Sequence, residues 1–201
     1  MLNKLLFKSL GLFSIVMLMA HAVFAQPGFL KKLVPHHARL QYGGGIGMVS
    51  AGIGYSNKNK KLEADLMYGY VPAGSLGVEI HSATLKFQWI PLKTLHKGNI
   101  FLQPLVTGIL VNHSFGDQYF GFKPDDYPYS YYNFPTSINS ALLLGSLVGT
   151  KFPGSKTIKG LGFYYEFSVF DRELASFVTN TRSLELHDIL TIGFGFKVYL
   201  K

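Results

Sequence analysis

The sequence predicts an all-β protein, a closed eight-stranded antiparallel barrel. Segments of strand length follow one another with turn residues between them, and most of them alternate two kinds of side chain. The connections also alternate between compact and longer ones, as in a barrel with two unlike rims.

The chain opens "MLNKLLFKSLGLFSIVMLMAHAVFAQPG", with Lys4 and Lys8 ahead of an apolar run from Leu10 to about Met19, then small residues at Ala20, Ala22 and Ala25. This pattern predicts a secretory signal peptide over 1–25, cleaved near Ala25. The run is too short for a membrane helix. Residues 26–38, "QPGFLKKLVPHHA", are expected to be a periplasmic lead-in, in which "FLKKLV" makes one turn of amphipathic helix at the inner membrane surface or is a linker. The barrel is expected over 39–201. Export permits disulfides, but the chain has no cysteine, so none staples the fold.

Eight strands are predicted, from Arg39 to Gly47, Met48 to Ser56, Leu62 to Val71, Val78 to Ile90, Asn99 to His113, Ser137 to Phe152, Gly160 to Arg172, and Leu184 to Leu200. One rim receives the compact connections "NKNKK" (57–61), "PLKTLHKGN" (91–99) and "PGSKTIK" (153–159). The other receives a very tight turn near Gly47, "PAGSLG" (72–77), the long 114–136 segment and the loop "ELASFVTNTRS" (173–183).

Neighbouring strand residues face opposite ways. Leu62, Ala64, Leu66, Tyr68 and Tyr70 therefore share a face against Glu63, Asp65, Met67 and Gly69. In the fifth segment Ile100, Leu102, Val106 and Leu110 are expected to oppose Gln103, Thr107 and His113. The seventh sets Leu161, Phe163, Tyr165, Phe167 and Val169 against Gly160, Gly162, Tyr164, Glu166 and Ser168, and the last sets Ile192, Phe194, Phe196 and Val198 against Gly193, Gly195 and Lys197. The sixth segment alternates poorly.

A soluble lipocalin-like carrier would turn the apolar set inward, and a transmembrane barrel would turn it out. Three features favour the transmembrane form. The polar face is rich in glycine and serine, which make room inside a narrow barrel. Aromatic residues such as Tyr42, Tyr68, Tyr70, Trp89, Phe163 and Phe196 sit near segment ends, as an interfacial girdle would. Most segments reach the roughly 9 to 11 residues needed to cross a bilayer.

In these features the chain resembles the small eight-stranded outer-membrane barrels of Gram-negative bacteria. Its ending "IGFGFKVYLK" resembles the terminal strand by which such barrels are recognised for assembly, although it closes on Lys201 rather than an aromatic residue. The resemblance implies a cell outer-membrane location, contact with outer-membrane lipid and engagement of the assembly machinery through the last strand.

With the polar set inside, Glu63, Asp65 and Lys86 are expected to form an interior ion cluster, joined in the interior by Glu166, Lys197 and Arg39. Eight strands leave room only for side chains, which argues against a diffusion pore. A small channel or transporter stays as an alternative.

The other alternative is a lipid-modifying enzyme resembling the outer-membrane lipid A deacylases and acyltransferases. In the deacylases a His-x-Ser spacing puts a histidine and a serine on one strand face. Here the candidates are "NHSF", with His113, Ser114 and nearby Asp117, and "EIHSA", with Glu79, His81 and Ser82. Adjacent strand residues face apart, so neither His-Ser pair forms a dyad on a regular strand. No metal site is expected from His36 and His37 or from Asp125 and Asp126, whose spacing matches no recurring ligand set. "GGGIG" (43–47) precedes no helix and is not a phosphate loop. No cofactor is implied.

The net charge of +8, or +6 without Lys4 and Lys8, is spread as single and paired lysines, which disfavours nucleic acid as a partner. Basic residues at strand ends can meet anionic head groups. In "PDDYPYSYYNFP" (124–135), Tyr127, Tyr129, Tyr131, Tyr132 and Phe134 form the best candidate surface for an unidentified extracellular ligand, or else pack over the barrel mouth.

Overall fold

The computed structural model describes residues 34–74, 77–116, 119, 136–179 and 184–200. The expected signal peptide with its cleavage point, most of the lead-in, Asp117, Asp125, Asp126, and the loop residues Tyr127, Tyr129, Tyr131, Tyr132 and Phe134 lie outside the described residues.

Nine strands are present: β1 (His37–Gly43), β2 (Val49–Ser56), β3 (Leu62–Val71), β4 (Ile80–Trp89), β5 (Leu95–Lys97), β6 (Ile100–Phe115), β7 (Ile138–Lys151), β8 (Gly160–Phe170) and β9 (Thr191–Tyr199). They run in the order β4-β3-β2-β1-β9-β8-β7-β6-β5, and β4 also pairs with β6, which closes the sheet. All pairings are antiparallel. The short β5 continues the place of β4 alongside β6, so the wall is a closed eight-stranded barrel. Closure pairs the backbone of every wall strand and removes free edges.

The alternation appears as two surfaces. In β3 and β8, Glu63, Asp65, Met67, Tyr164, Glu166 and Ser168 are buried, while Leu66, Tyr68, Phe163 and Tyr165 are exposed. In β7 both faces are apolar. Ala141, Leu143 and Leu147 point in, and Leu142, Leu144 and Val148 point out, which is why this segment alternates poorly.

The expected last strand, Leu184 to Leu200, is a 3-10 turn over Leu186–Ile189 and a strand only over Thr191–Tyr199, and the expected connection 91–99 contains β5. Three further regions differ from expectation. Val106 and Leu110 face inward, and Thr107, Ile109, Val111 and His113 face outward, the reverse of the expected phase. The cause is a register shift between Gln103 and Val106, at Pro104. Proline cannot donate to the ladder, and an extra residue there flips the parity of everything beyond it.

Secondly, Asp171–Thr179 forms a helix, α1, where the end of a strand (to Arg172) and then a loop from 173 were expected. Nothing in "DRELASFVT" breaks a helix, and Asp171 and Glu173 sit at its positive N-terminal end. Asp171 also accepts hydrogen bonds from the backbone N–H and hydroxyl of Ser140, at 2.9 Å each, which ties the helix to β7.

Thirdly, the connection near Gly47 is no simple tight turn. Residues 44–48 fold into the barrel mouth and bury Ile46 to 1% exposure. Gly45 stands at φ +74°, where a Cβ would meet the Phe170 ring. Gly69 on β3 lets the Ile46 carbonyl come against the wall, a place that a Cβ would occupy.

Candidate functional site

The interior has three levels. Next to the loop-bearing rim, Ile46, Met67, Leu110, Ala141, Leu143 and Phe170 pack as an apolar plug. Ser82 fastens it by donating to the Ile46 carbonyl at 2.7 Å.

Below the plug lies a tier of ions. The Arg39 guanidinium donates to Glu63 at 2.9 Å and to the Gln88 side-chain carbonyl, and its Nε lies 3.1 Å from Asp65. Glu63 also accepts from Lys197, at 2.5 Å. An ionised Asp65 only accepts, so the buried His37 donates to it through Nε2. Lys86 donates to Glu166 at 2.5 Å and to the Gln41 side-chain carbonyl at 2.9 Å. The Tyr164 hydroxyl donates to that same oxygen at 3.1 Å, and its ring lies 5.0 Å beneath the Arg39 guanidinium.

Glu63, Asp65 and Lys86 are thus all buried, but Lys86 is held by Glu166 rather than by Glu63 or Asp65. The register does set Lys86 opposite Asp65. Asp65 is nevertheless taken by Arg39 and His37, and Lys86 reaches across the barrel instead. Three cations (Arg39, Lys86, Lys197) face three carboxylates, so the tier is charge-balanced, the condition under which buried ions are tolerated. A void of about 10 Å³, room for about one water, lies beside Arg39, Glu63 and Glu166.

The third level is open. A cavity of about 690 Å³ enters from the rim of the compact connections. Its inner surface includes Glu63, Gln103, Phe101 and Tyr199, and its outer part Lys58, Lys60, Lys151 and Lys159. The Phe101 and Tyr199 rings meet edge to face, with centroids 5.5 Å apart.

Charge divides between the rims. The compact connections and the adjoining strand ends carry Lys58, Lys60, Lys61, Lys93, Lys97, Lys151, Lys156 and Lys159, and no acidic residue. Of the 11 acidic residues, Glu63, Asp65 and Glu166 are inside, and the other eight belong by sequence to the connections of the opposite rim.

The catalytic candidates do not assemble into a serine site. His81 lies on the outside, its side chain 41% exposed, while Ser82 points inward beneath Ile46. His113 also faces outward, its ring centroid 4.9 Å from that of Phe115, and Ser114 is on the opposite face, half-buried. Outside, Glu79 lies 3.8 Å from His81, whose Nδ1 shares a 2.6 Å hydrogen bond with the Tyr68 hydroxyl; the Tyr70 hydroxyl donates to Glu79 at 3.0 Å. This exposed cluster of imidazole, phenols and carboxylate contains no serine. Among the described residues, no group of three or more His, Cys, Asp or Glu is placed to hold a metal.

The sequence reading missed the vestibule. Its visible signals were three lysine-bearing connections on one rim and the aromatic residues Phe101 and Tyr199 at inward positions of β6 and β9.

Fold and interior together define a class: a closed eight-stranded barrel with a charge-balanced core, plugged at one end and open at the other. Comparison with protein-family models, curated proteins and solved structures finds no match for the chain.

Proposed function

We propose that the chain is an integral protein of the Gram-negative outer membrane, a non-conducting barrel that anchors its longer connections at the cell surface for contact with an extracellular ligand. One observation carries this reading. Apart from Lys97 at the end of the short β5, the outward positions of the barrel strands hold no Asp, Glu, Lys or Arg, whereas Arg39, Glu63, Asp65, Lys86, Glu166 and Lys197 all point inward.

Large apolar side chains cover that wall, among them Leu40, Leu66, Trp89, Leu142 and Phe196, each about half exposed. A soluble protein rarely exposes a contiguous apolar patch beyond a few hundred Å², and this one encircles the molecule. In lipid the same arrangement is favourable, because a closed sheet satisfies its backbone internally and turns apolar residues to the acyl chains. Trp89 and Tyr42 stand near strand ends, where an interfacial girdle would lie. Among the described residues no helix is long and apolar enough to cross a membrane, so the strands would do the crossing.

On this reading the rim of the compact connections is periplasmic, and β9 with its outward Ile192, Phe194 and Phe196 presents the strand used in assembly. The acidic rim faces outside, with Tyr127, Tyr129, Tyr131, Tyr132 and Phe134 in the segment joining β6 to β7 as the ligand contact. The apolar plug speaks against the channel alternative.

Membrane fractionation with gel migration before and after boiling tests the proposal. Recovery with the outer membrane and a migration shift on boiling are expected. A soluble periplasmic pool with ordinary migration would overturn it.

A further inference from the structure

The outside of the wall is not evenly convex. Across β2, β3, β4 and β6 the register sets Tyr55, Ala64, Phe87 and Ile109 in one outward row. The next row towards the plugged end, Ile53, Leu66, Leu85 and Val111, is large throughout, so the methyl of Ala64 between two aromatic rings leaves a notch. The notch continues past Leu62 and Trp89 as a groove of about 500 Å³ that ends at Asn57, on the lysine rim. Its side-chain surface is hydrocarbon and aromatic until that end.

The end carries charge. The Asn57 carbonyl accepts from the Lys60 N–H at 2.9 Å, and its side-chain oxygen accepts from the N–H groups of Lys61 and Leu62 at 2.9 and 3.2 Å. These bonds fold 57–61 into a tight turn at the mouth of the groove. Lys58, Lys60 and Lys61 are exposed on it and, among the described residues, make no ion pair. Trp89, which pairs with Leu62 in register, stands between the groove and the turn. An indole of this kind prefers the level of lipid head groups.

An apolar slot, an amphipathic ring and a set of cations, in that order, match an acyl chain, the ester level and an anionic head group of one lipid molecule. A second copy of this chain fits the groove badly. Copies in one membrane share an orientation, so a neighbour here would bring its own lysine rim against this one, and like charges oppose the contact.

We propose that the groove between Tyr55 and Phe87 is a binding site for a phospholipid with a net-negative head group, one acyl chain lying over Ala64 and the phosphate at Lys58, Lys60 and Lys61. The inference rests on the reading of the barrel as membrane-spanning, and adds to it the selection of one kind of lipid by one face of the wall.

Trp89 is the only tryptophan in the chain, so its fluorescence reports this groove. The full chain is folded into vesicles of phosphatidylcholine and phosphatidylglycerol in equal parts, with bromine, which quenches indole on contact, on the acyl chains of one lipid or of the other. Brominated phosphatidylglycerol is expected to quench as if enriched at least about threefold at Trp89. The triple variant Lys58→Gln, Lys60→Gln, Lys61→Gln should bring the preference close to parity. Ala64→Leu, which fills the notch and keeps the lysines, should lower it as well. Lys151→Gln, Lys156→Gln and Lys159→Gln together, at the β7–β8 hairpin on the opposite side of the barrel, should leave it unchanged.

Equal quenching by the two lipids would overturn the site and leave the barrel in the membrane. An Ala64→Leu variant with the parent's preference would do the same, as would equal losses in the two triple variants, since the rim would then gather anionic lipid diffusely. No quenching by either lipid would mean that the wall does not meet acyl chains, and would overturn the membrane reading together with the site.

Discussion

At the loop end of the interior, Ile46, Met67, Leu110 and Phe170 fill the barrel beneath connections that hold eight acidic residues, whereas at the turn end the interior stays open and its rim carries eight lysines and no acid. The same eight strands build both ends, so the difference lies in what the connections do. The β1–β2 connection folds inward and seals one mouth; the compact connections stay at the rim and leave the other free. Among the described residues the interior of the barrel is therefore open at one end and filled at the other.

The largest expected effect lies in the ion tier that separates the ends. Glu166→Leu leaves Lys86 fully buried with only Gln41 as partner and should cost about 3–5 kcal/mol in urea unfolding. Adding Lys86→Met should recover most of that loss, since the pair is removed together; a double variant as unstable as the single would mean that Lys86 has another counter-ion.

Next comes the wall. Leu66→Arg, on the outside, should cost about 2–4 kcal/mol in lipid vesicles if it faces acyl chains near the midplane, and close to nothing if that wall meets water. Gly69→Ala acts on the plug, where its Cβ would meet the Ile46 carbonyl. A cost of about 1–3 kcal/mol is expected, and planar-bilayer recordings should stay silent for the parent while the variant shows whether the plug alone keeps the mouth shut. The smallest effect belongs to the other end: Lys156→Gln, exposed on the lysine rim, should move stability by no more than about 0.5 kcal/mol.

Strand number, the closed barrel and the direction of most side chains were legible because a half-buried sheet writes its two faces into every second residue. Legibility failed where that code was interrupted. Pro104 was the visible warning in β6, yet a bulge shifts the phase through backbone geometry that alternation does not record. Segment 173–183 follows a strand and carries polar residues, which reads as loop, although Asp171 and Glu173 were helix-start signals.

The ion tier was half legible. Neighbouring strands could be registered by folding one hairpin, which placed Asp65 against Lys86. The partner actually used, Glu166, lies on the far side of a cylinder, and its distance from Lys86 depends on shear and diameter rather than on local pattern. The vestibule escaped for a related reason, since it is made of three connections and two strand ends that meet only after closure.

The route of the Glu63 contacts also bears on how the protein is made. Lys197, on the last strand, donates to Glu63 from 134 positions further along the chain, and Lys86 finds Glu166 from 80 positions away. A nascent sheet that has formed its hairpins but has not joined β9 to β1 therefore holds an acid on β3 that lacks one of its two cations. Neutralising the interior and closing the wall become one event, completed when β9 joins β1. A chain truncated before Lys197 would leave Glu63 short of a cation in a wall that cannot close, so incomplete closure and an uncompensated interior charge would appear together.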